Sequence, residues 1–103
     1  MQSPDAVTAL AALAHESRLA AFRLLVQAGP EGLAASRIAE SLDIANSSLS
    51  FHLKELAHAG LVTARQDGRF VIYAARFDTM NALLGFLTEN CCGGAPCTPA
   101  NSC

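Results

Sequence analysis

Cysteine is missing from the first 90 residues of this 103-residue chain, and all four cysteines fall in the last thirteen. A disulfide framework spreads its cysteines to staple a small core, so that class is excluded. Long apolar runs are also missing. No stretch approaches the roughly 18–20 residues that a helix needs to cross a bilayer, so no membrane partner is expected. Met1-Gln2-Ser3-Pro4-Asp5 has neither the basic nor the apolar region of a secretory signal, and the expected compartment is the cytoplasm. Charged residues are scarce at 16% against 51% hydrophobic ones, a balance that collapses into a core instead of staying disordered. A paired general base is absent, so the chain is read as no enzyme. What remains at this length is one small binding domain that is expected to be oligomeric.

The net charge of −2 hides an uneven distribution. Residues 1–43 and 77–103 are each acidic by two charges. Residues 44–76 set Lys54, Arg65, Arg69 and Arg76 against Glu55 and Asp67, and are basic by two. Local charge governs nucleic-acid affinity more than the whole-chain sum, and a dimer doubles the basic patch.

Hydrophobic periodicity orders the elements. Ser3-Pro4 suits an N-cap and first helical position, followed by Val7, Leu10 and Leu13 at helical spacing. A second helix spans about Ser17–Ala28 with Leu19, Phe22, Leu25 and Val26 as its apolar stripe, and Gly29-Pro30 stops it. Ser36–Leu42 reads as a short third helix. Asn46 is the N-cap candidate of a fourth, which runs to about Ala59 with Leu49, Leu53 and Leu56 inward. The period then drops to two in residues 61–65 and 70–74, around a Gln66-Asp67-Gly68-Arg69 turn. Asp78–Asn90 is a final helix, apolar nearly all round, which must therefore be buried against a partner chain. The order is mainly α with a β-hairpin wing, that is, a homodimeric winged helix-turn-helix. Residues 1–90 make the DNA-binding and dimerisation domain and 91–103 a cysteine-rich tail.

In this arrangement the fourth helix is the DNA reader. With its leucines inward, Ser47, Ser48, Ser50, Phe51, His52 and Lys54 fall on its other faces. Small hydroxyls at a helix N-terminus let backbone amides approach phosphates. Ser50 and His52 can bond to base edges or phosphates, and Phe51 can meet a thymine methyl. Arg69 at the wing tip, with Arg65 nearby, can reach the backbone or minor groove. A two-fold dimer would read double-stranded operator DNA as an inverted repeat with half-sites about 34–36 Å apart.

Ser50-Phe51-His52-Leu53-Lys54-Glu55-Leu56, followed by Ala59-Gly60-Leu61-Val62, resembles the recognition helix and wing entry of the ArsR/SmtB family of metalloregulatory repressors. His15-Glu16-Ser17-Arg18-Leu19 and Gly68-Arg69-Phe70-Val71-Ile72-Tyr73 match other recurrent stretches of that family, and the likeness spans about residues 5–90. Phe51 departs from it, because the family commonly places a polar or basic residue there. The resemblance implies a homodimeric repressor that leaves its operator when an inducer binds.

The family's inducer sites can be sought position by position. The stretch Leu33-Ala34-Ala35-Ser36 lacks the Cys-x-Cys of one arsenic-sensing type. Asp78 is present on the last helix, but no histidine follows His58 to complete the zinc-sensing type. Cys91-Cys92 with Cys97 downstream resembles a third type built on a vicinal thiol pair. Three thiolates suit a soft ion, and As(III) or Sb(III) prefers three sulfurs in a trigonal pyramid, whereas zinc wants four tetrahedral ligands. The third sulfur is Cys97 or Cys103, from the same chain or across the dimer. A thiol redox switch and a thiol-rich soft-metal-binding protein are the alternative readings of the tail.

Overall fold

The computed structural model describes residues 1–94 of the chain. Five helices and three short strands follow one another as α1 (Ser3–Leu13), α2 (Glu16–Ala28), β1 (Leu33–Ala34), α3 (Ala35–Leu42), α4 (Asn46–His58), β2 (Val62–Asp67), β3 (Phe70–Ala75) and α5 (Phe77–Leu87). A 3-10 turn over Cys91–Gly94 comes after α5. The expected order is present, with one element added. β1 is a two-residue strand too short to show any periodicity, and it pairs antiparallel with β3 through Leu33↔Tyr73 and Ala34↔Ile72. The sheet order is therefore β1-β3-β2, and the wing grows from a strand anchored to the helical body.

Several boundaries shift for local reasons. Gln2, not Ser3, is the N-cap of α1, and its backbone N–H donates to the Asp5 carboxylate at 3.2 Å. Asn46 is the first residue of α4 and Ala45 holds the capping position without a side-chain bond. The wing turn is tighter than expected. Asp67 pairs with Phe70, so Gly68-Arg69 alone make the loop, with Gly68 at φ 63°. α5 ends at Leu87, three residues early, where Thr88 turns its hydroxyl back to the Leu84 carbonyl at 2.8 Å.

Leu25, Ile38, Leu49, Leu53, Leu56 and Leu61 are fully buried and tie α2, α3, α4 and the root of the wing into one core. The leucine triplet of α4 is inward as its spacing predicts. α1 turns most of its expected stripe outward, and of Val7, Leu10 and Leu13 only Leu13 packs against the core. Ala6 and Ala9 are buried, while Val7 is 64% exposed and Leu10 is exposed as well. Alanines let α1 approach its neighbours closely, and the larger side chains are left outside. α5 likewise buries Leu83 but leaves Leu84 and Leu87 more than half exposed, so one chain covers only part of its apolar surface. Among the described residues no helix is long and apolar enough to cross a membrane.

Candidate DNA interface and cysteine tail

α3 and α4 are joined by a sharp corner. Asp43 caps α3 in the left-handed conformation at φ 53°, a state that a short polar side chain tolerates better than a branched one. Because Leu49, Leu53 and Leu56 fix the buried side of α4, the opposite face is presented outward. Ser47, Ser48, Ser50, Phe51 and Lys54 are all exposed, and Phe51 retains 57% of its surface. An exposed aromatic on an otherwise polar helix face is a contact surface for an apolar group.

His52 stands apart from that set. It is half-buried, its ring lies 4.5 Å from that of His15 at the start of α2, and its Nδ1 is shut off from solvent without a hydrogen-bond partner. Burial, and then the charges of His15 and Arg18, push the His52 imidazole below the ordinary histidine value. Sequence spacing does not signal this contact, because 37 positions separate the two rings.

The two wing arginines also differ. Arg65 donates from Nη2 to the Glu31 carbonyl at 2.9 Å, strapping β2 to the loop between α2 and β1. Arg69 is exposed at the tip and, among the described residues, makes no hydrogen bond or ion pair. Gln66 closes the turn through Nε2 to the Gly68 carbonyl at 2.9 Å. Arg69→Ala is therefore expected to weaken binding to all duplexes alike and to reduce the salt slope by about one, whereas Ser50→Ala removes about 1–3 kcal/mol from a preferred sequence alone. Fluorescence titrations of a preferred and a scrambled duplex at several salt concentrations separate the two effects. An equal loss on both duplexes from Ser50→Ala would remove that serine from sequence reading.

The tail begins one turn beyond α5. Asn90 and Cys92 adopt positive φ of 58° and 54°, so the chain turns sharply as it leaves the helix. Cys91 is half-buried and Cys92 is exposed. Cys97 and Cys103 lie outside the described residues. Among the described residues, no group of three histidine, cysteine or carboxylate side chains is placed to hold a metal ion. Asp78 accepts from Arg76 Nη2 at 2.8 Å, and that hydrogen bond holds its carboxyl below the usual range.

An exposed polar second helix, a short helix bracing it from behind and a basic hairpin at its side together define a winged helix-turn-helix DNA-binding protein. The family model for a helix-turn-helix domain matches residues 13–65. The HTH-type transcriptional regulator YceK of Bacillus subtilis, itself uncharacterized, is 39% identical over 89 residues, which cover 84% of this chain and 88% of YceK. A "Putative arsenical resistance operon repressor ArsR" of Halobacterium salinarum is 42% identical over 67 residues, covering 65% of this chain and 51% of that protein. Among solved structures, an ArsR-like transcriptional regulator from Rhodococcus sp. RHA1 superposes with a TM-score of 0.73 at 27% identity, over 84% of this chain and 78% of that one. The homodimeric winged helix-turn-helix DNA-binding domain Mb0332 from Mycobacterium bovis gives 0.68 at 27% identity, over 84% and 81%. The chain belongs to the ArsR family of DNA-binding transcriptional regulators.

Proposed function

We propose that this regulator is a homodimeric repressor that leaves an inverted-repeat operator when As(III) or Sb(III) is captured by its C-terminal thiols. The vicinal pair Cys91-Cys92, set directly after α5, carries this reading. Two adjacent thiolates bind one thiophilic ion from a single turn of chain, and Cys97 or Cys103 supplies the third sulfur. The relative from Halobacterium salinarum is named for an arsenical resistance operon, which agrees with that chemistry.

Uncovered apolar surface supports the dimer. Val7 and Leu10 on α1 and Leu84 and Leu87 on α5 are large apolar side chains left exposed in one chain, and α1 packs against α5. A second copy placed on the same two helices buries them by two-fold symmetry, and the structural neighbour Mb0332 is homodimeric. Leu84→Glu is expected to convert a dimer into a monomer in sedimentation velocity at micromolar concentration. Unchanged sedimentation would move the interface elsewhere.

The coupling has a physical route. The backbone N–H of Arg76, the N-cap of α5, donates to the Leu61 carbonyl at 2.8 Å, where α4 gives way to the wing. A change in how α5 crosses its partner is thereby passed to the root of the wing and to the spacing of the two α4 helices. Such rigid-body repacking needs no contact between ion and DNA. The deciding experiment titrates the protein, bound to a duplex that it selected from a random pool, with arsenite, antimonite, zinc, cadmium and peroxide. Release by arsenite or antimonite under reducing conditions supports the reading, and retention of the duplex overturns it.

A thiol redox switch is the alternative, favoured by the clustering of all four cysteines within residues 91–103. Release by peroxide, with none by metalloid in the presence of reductant, would select it.

A further inference from the structure

The contact between His15 and His52 joins the DNA-reading helix to a residue outside the helix-turn-helix. His15 is the N-cap of α2, and its Nδ1 accepts the backbone N–H of Ser17 at 3.1 Å. Its ring backs that of His52 at 4.5 Å with the planes tilted by 43°. Arg18, one turn into α2, donates from Nε to the Ala12 carbonyl at 2.7 Å and so pins the corner between α1 and α2 beside the pair. On the other side, the Phe51 ring meets His52 edge-on at 5.8 Å. With Nδ1 turned inward against these groups, the Nε2 edge is the side of His52 left for a ligand.

We propose that His15 is a positioning residue for operator binding, holding the His52 ring toward the DNA and making the affinity fall in acid. The inference rests on α4 being the operator-reading helix. Each ring is arranged for its neutral form. A proton on His15 Nδ1 turns the acceptor of the α2 cap into a donor, and the bond to the Ser17 amide is lost. A proton on His52 Nδ1 creates an N–H with no acceptor in a site shut off from solvent. A charge on His52 also faces the His15 imidazole and Arg18, which after burial are the groups that depress its ionisation. Of the elements packed against α4, α2 carries Glu16 and Arg23 besides Arg18, α1 carries Asp5, α3 carries Arg37 and Glu40, and β2 carries Arg65 and Asp67. α4 itself carries Lys54, Glu55 and His58. None of these forms an ion pair or hydrogen bond with either ring among the described residues. The paired state therefore binds fewer protons than the parted state, and lowering the pH favours parting.

The test measures the affinity of the full-length protein for a duplex selected by it from a random pool, at fixed ionic strength between pH 7.5 and 5.5. Circular dichroism at each pH confirms that the fold is kept. If one proton must be excluded for binding, the wild type loses up to about tenfold in affinity per pH unit below the histidine range. His15→Asn keeps a capping oxygen but neither the ring that backs His52 nor a titratable group, so it loses affinity at pH 7.5 and its profile flattens. His15→Ala, lacking the oxygen, loses affinity at both ends. In proton NMR of the DNA-free protein, His52 titrates closer to the ordinary histidine value in His15→Asn than in the wild type. A wild-type profile that is flat or rises in acid, or an unaltered His52 titration in the variant, overturns the inference while leaving the DNA-binding reading intact. Failure to select any duplex overturns both.

Discussion

Serine at Cys91 or Cys92 is expected to leave operator binding within about twofold of the wild type and to abolish release by arsenite or antimonite. The substitution changes one atom, and the hydroxyl does not ionise near neutral pH, so the site loses a thiolate while the fold keeps its shape. Cys91 and Cys92 lie beyond the last helix and outside the core, so neither change disturbs α4 or the wing. In the wild type, release requires the ion to favour the DNA-incompetent dimer by about 1–3 kcal/mol, a loss of roughly 5–150-fold in operator affinity. Protons compete with the ion for thiolates, so the arsenite needed for half-release rises as the pH is lowered. Cys97→Ser and Cys103→Ser should differ from each other, and the uninducible one supplies the third sulfur. Gel shifts with and without metalloid, under reductant, check each variant. Release retained in all four single variants would remove the tail from the sensing role.

Gly32→Ala is expected to be the most damaging single-methyl addition among the described glycines outside the tail. Gly32 has φ +73°, and a β-carbon there would stand 2.1 Å from the carbonyl oxygen of Tyr73 and 2.9 Å from its carbonyl carbon. Both obstacles are backbone of β3 and cannot rotate away. The left-handed conformation alone costs an L-residue about 1–2 kcal/mol. Moving β1 off β3 adds the loss of the Leu33–Tyr73 and Ala34–Ile72 pairing, for a total of about 3 kcal/mol or more. In a domain of this size that corresponds to a fall in Tm of about 12 °C or more, measured at matched protein concentration. Gly60→Ala is the control. Its φ is +77°, but a β-carbon there meets nothing within 4 Å, so only the conformational penalty applies. Equal losses in the two variants would show that close approach at Gly32 is not what anchors the wing.

The Gly32 contact also marks a limit of sequence reading. In Gly29-Pro30-Glu31-Gly32, Gly29 has a legible role as a helix stop. Gly32 reads as ordinary loop composition until β3 is laid against it. β1 is hidden for the same reason, since a strand of two residues has no period and exists only through its partner. Arg65 and Glu31 are 34 residues apart, and nothing in either residue type announces that a guanidinium will strap one loop to another.

Periodicity and turn chemistry, which act over a few residues, were enough by themselves to determine the order of the five helices and the hairpin, the buried leucine triplet of α4 and the exposed set of Ser47, Ser48, Ser50, Phe51 and Lys54. Gly29-Pro30 and the Asp67-Gly68 pair likewise set their punctuation without help from distant residues. Composition alone separated a cysteine-free folded part from a thiol-rich end. The tertiary structure decided which face of α1 points inward, because an Ala/Leu-rich helix offers two apolar faces and close approach to its neighbours selects the smaller side chains Ala6 and Ala9. It also decided that Arg65 braces the wing while Arg69 stays available, and that His52 is half-buried against His15. Those outcomes depend on residues brought together from distant parts of the chain, and a local pattern carries no record of what will lie across from it once the core has closed.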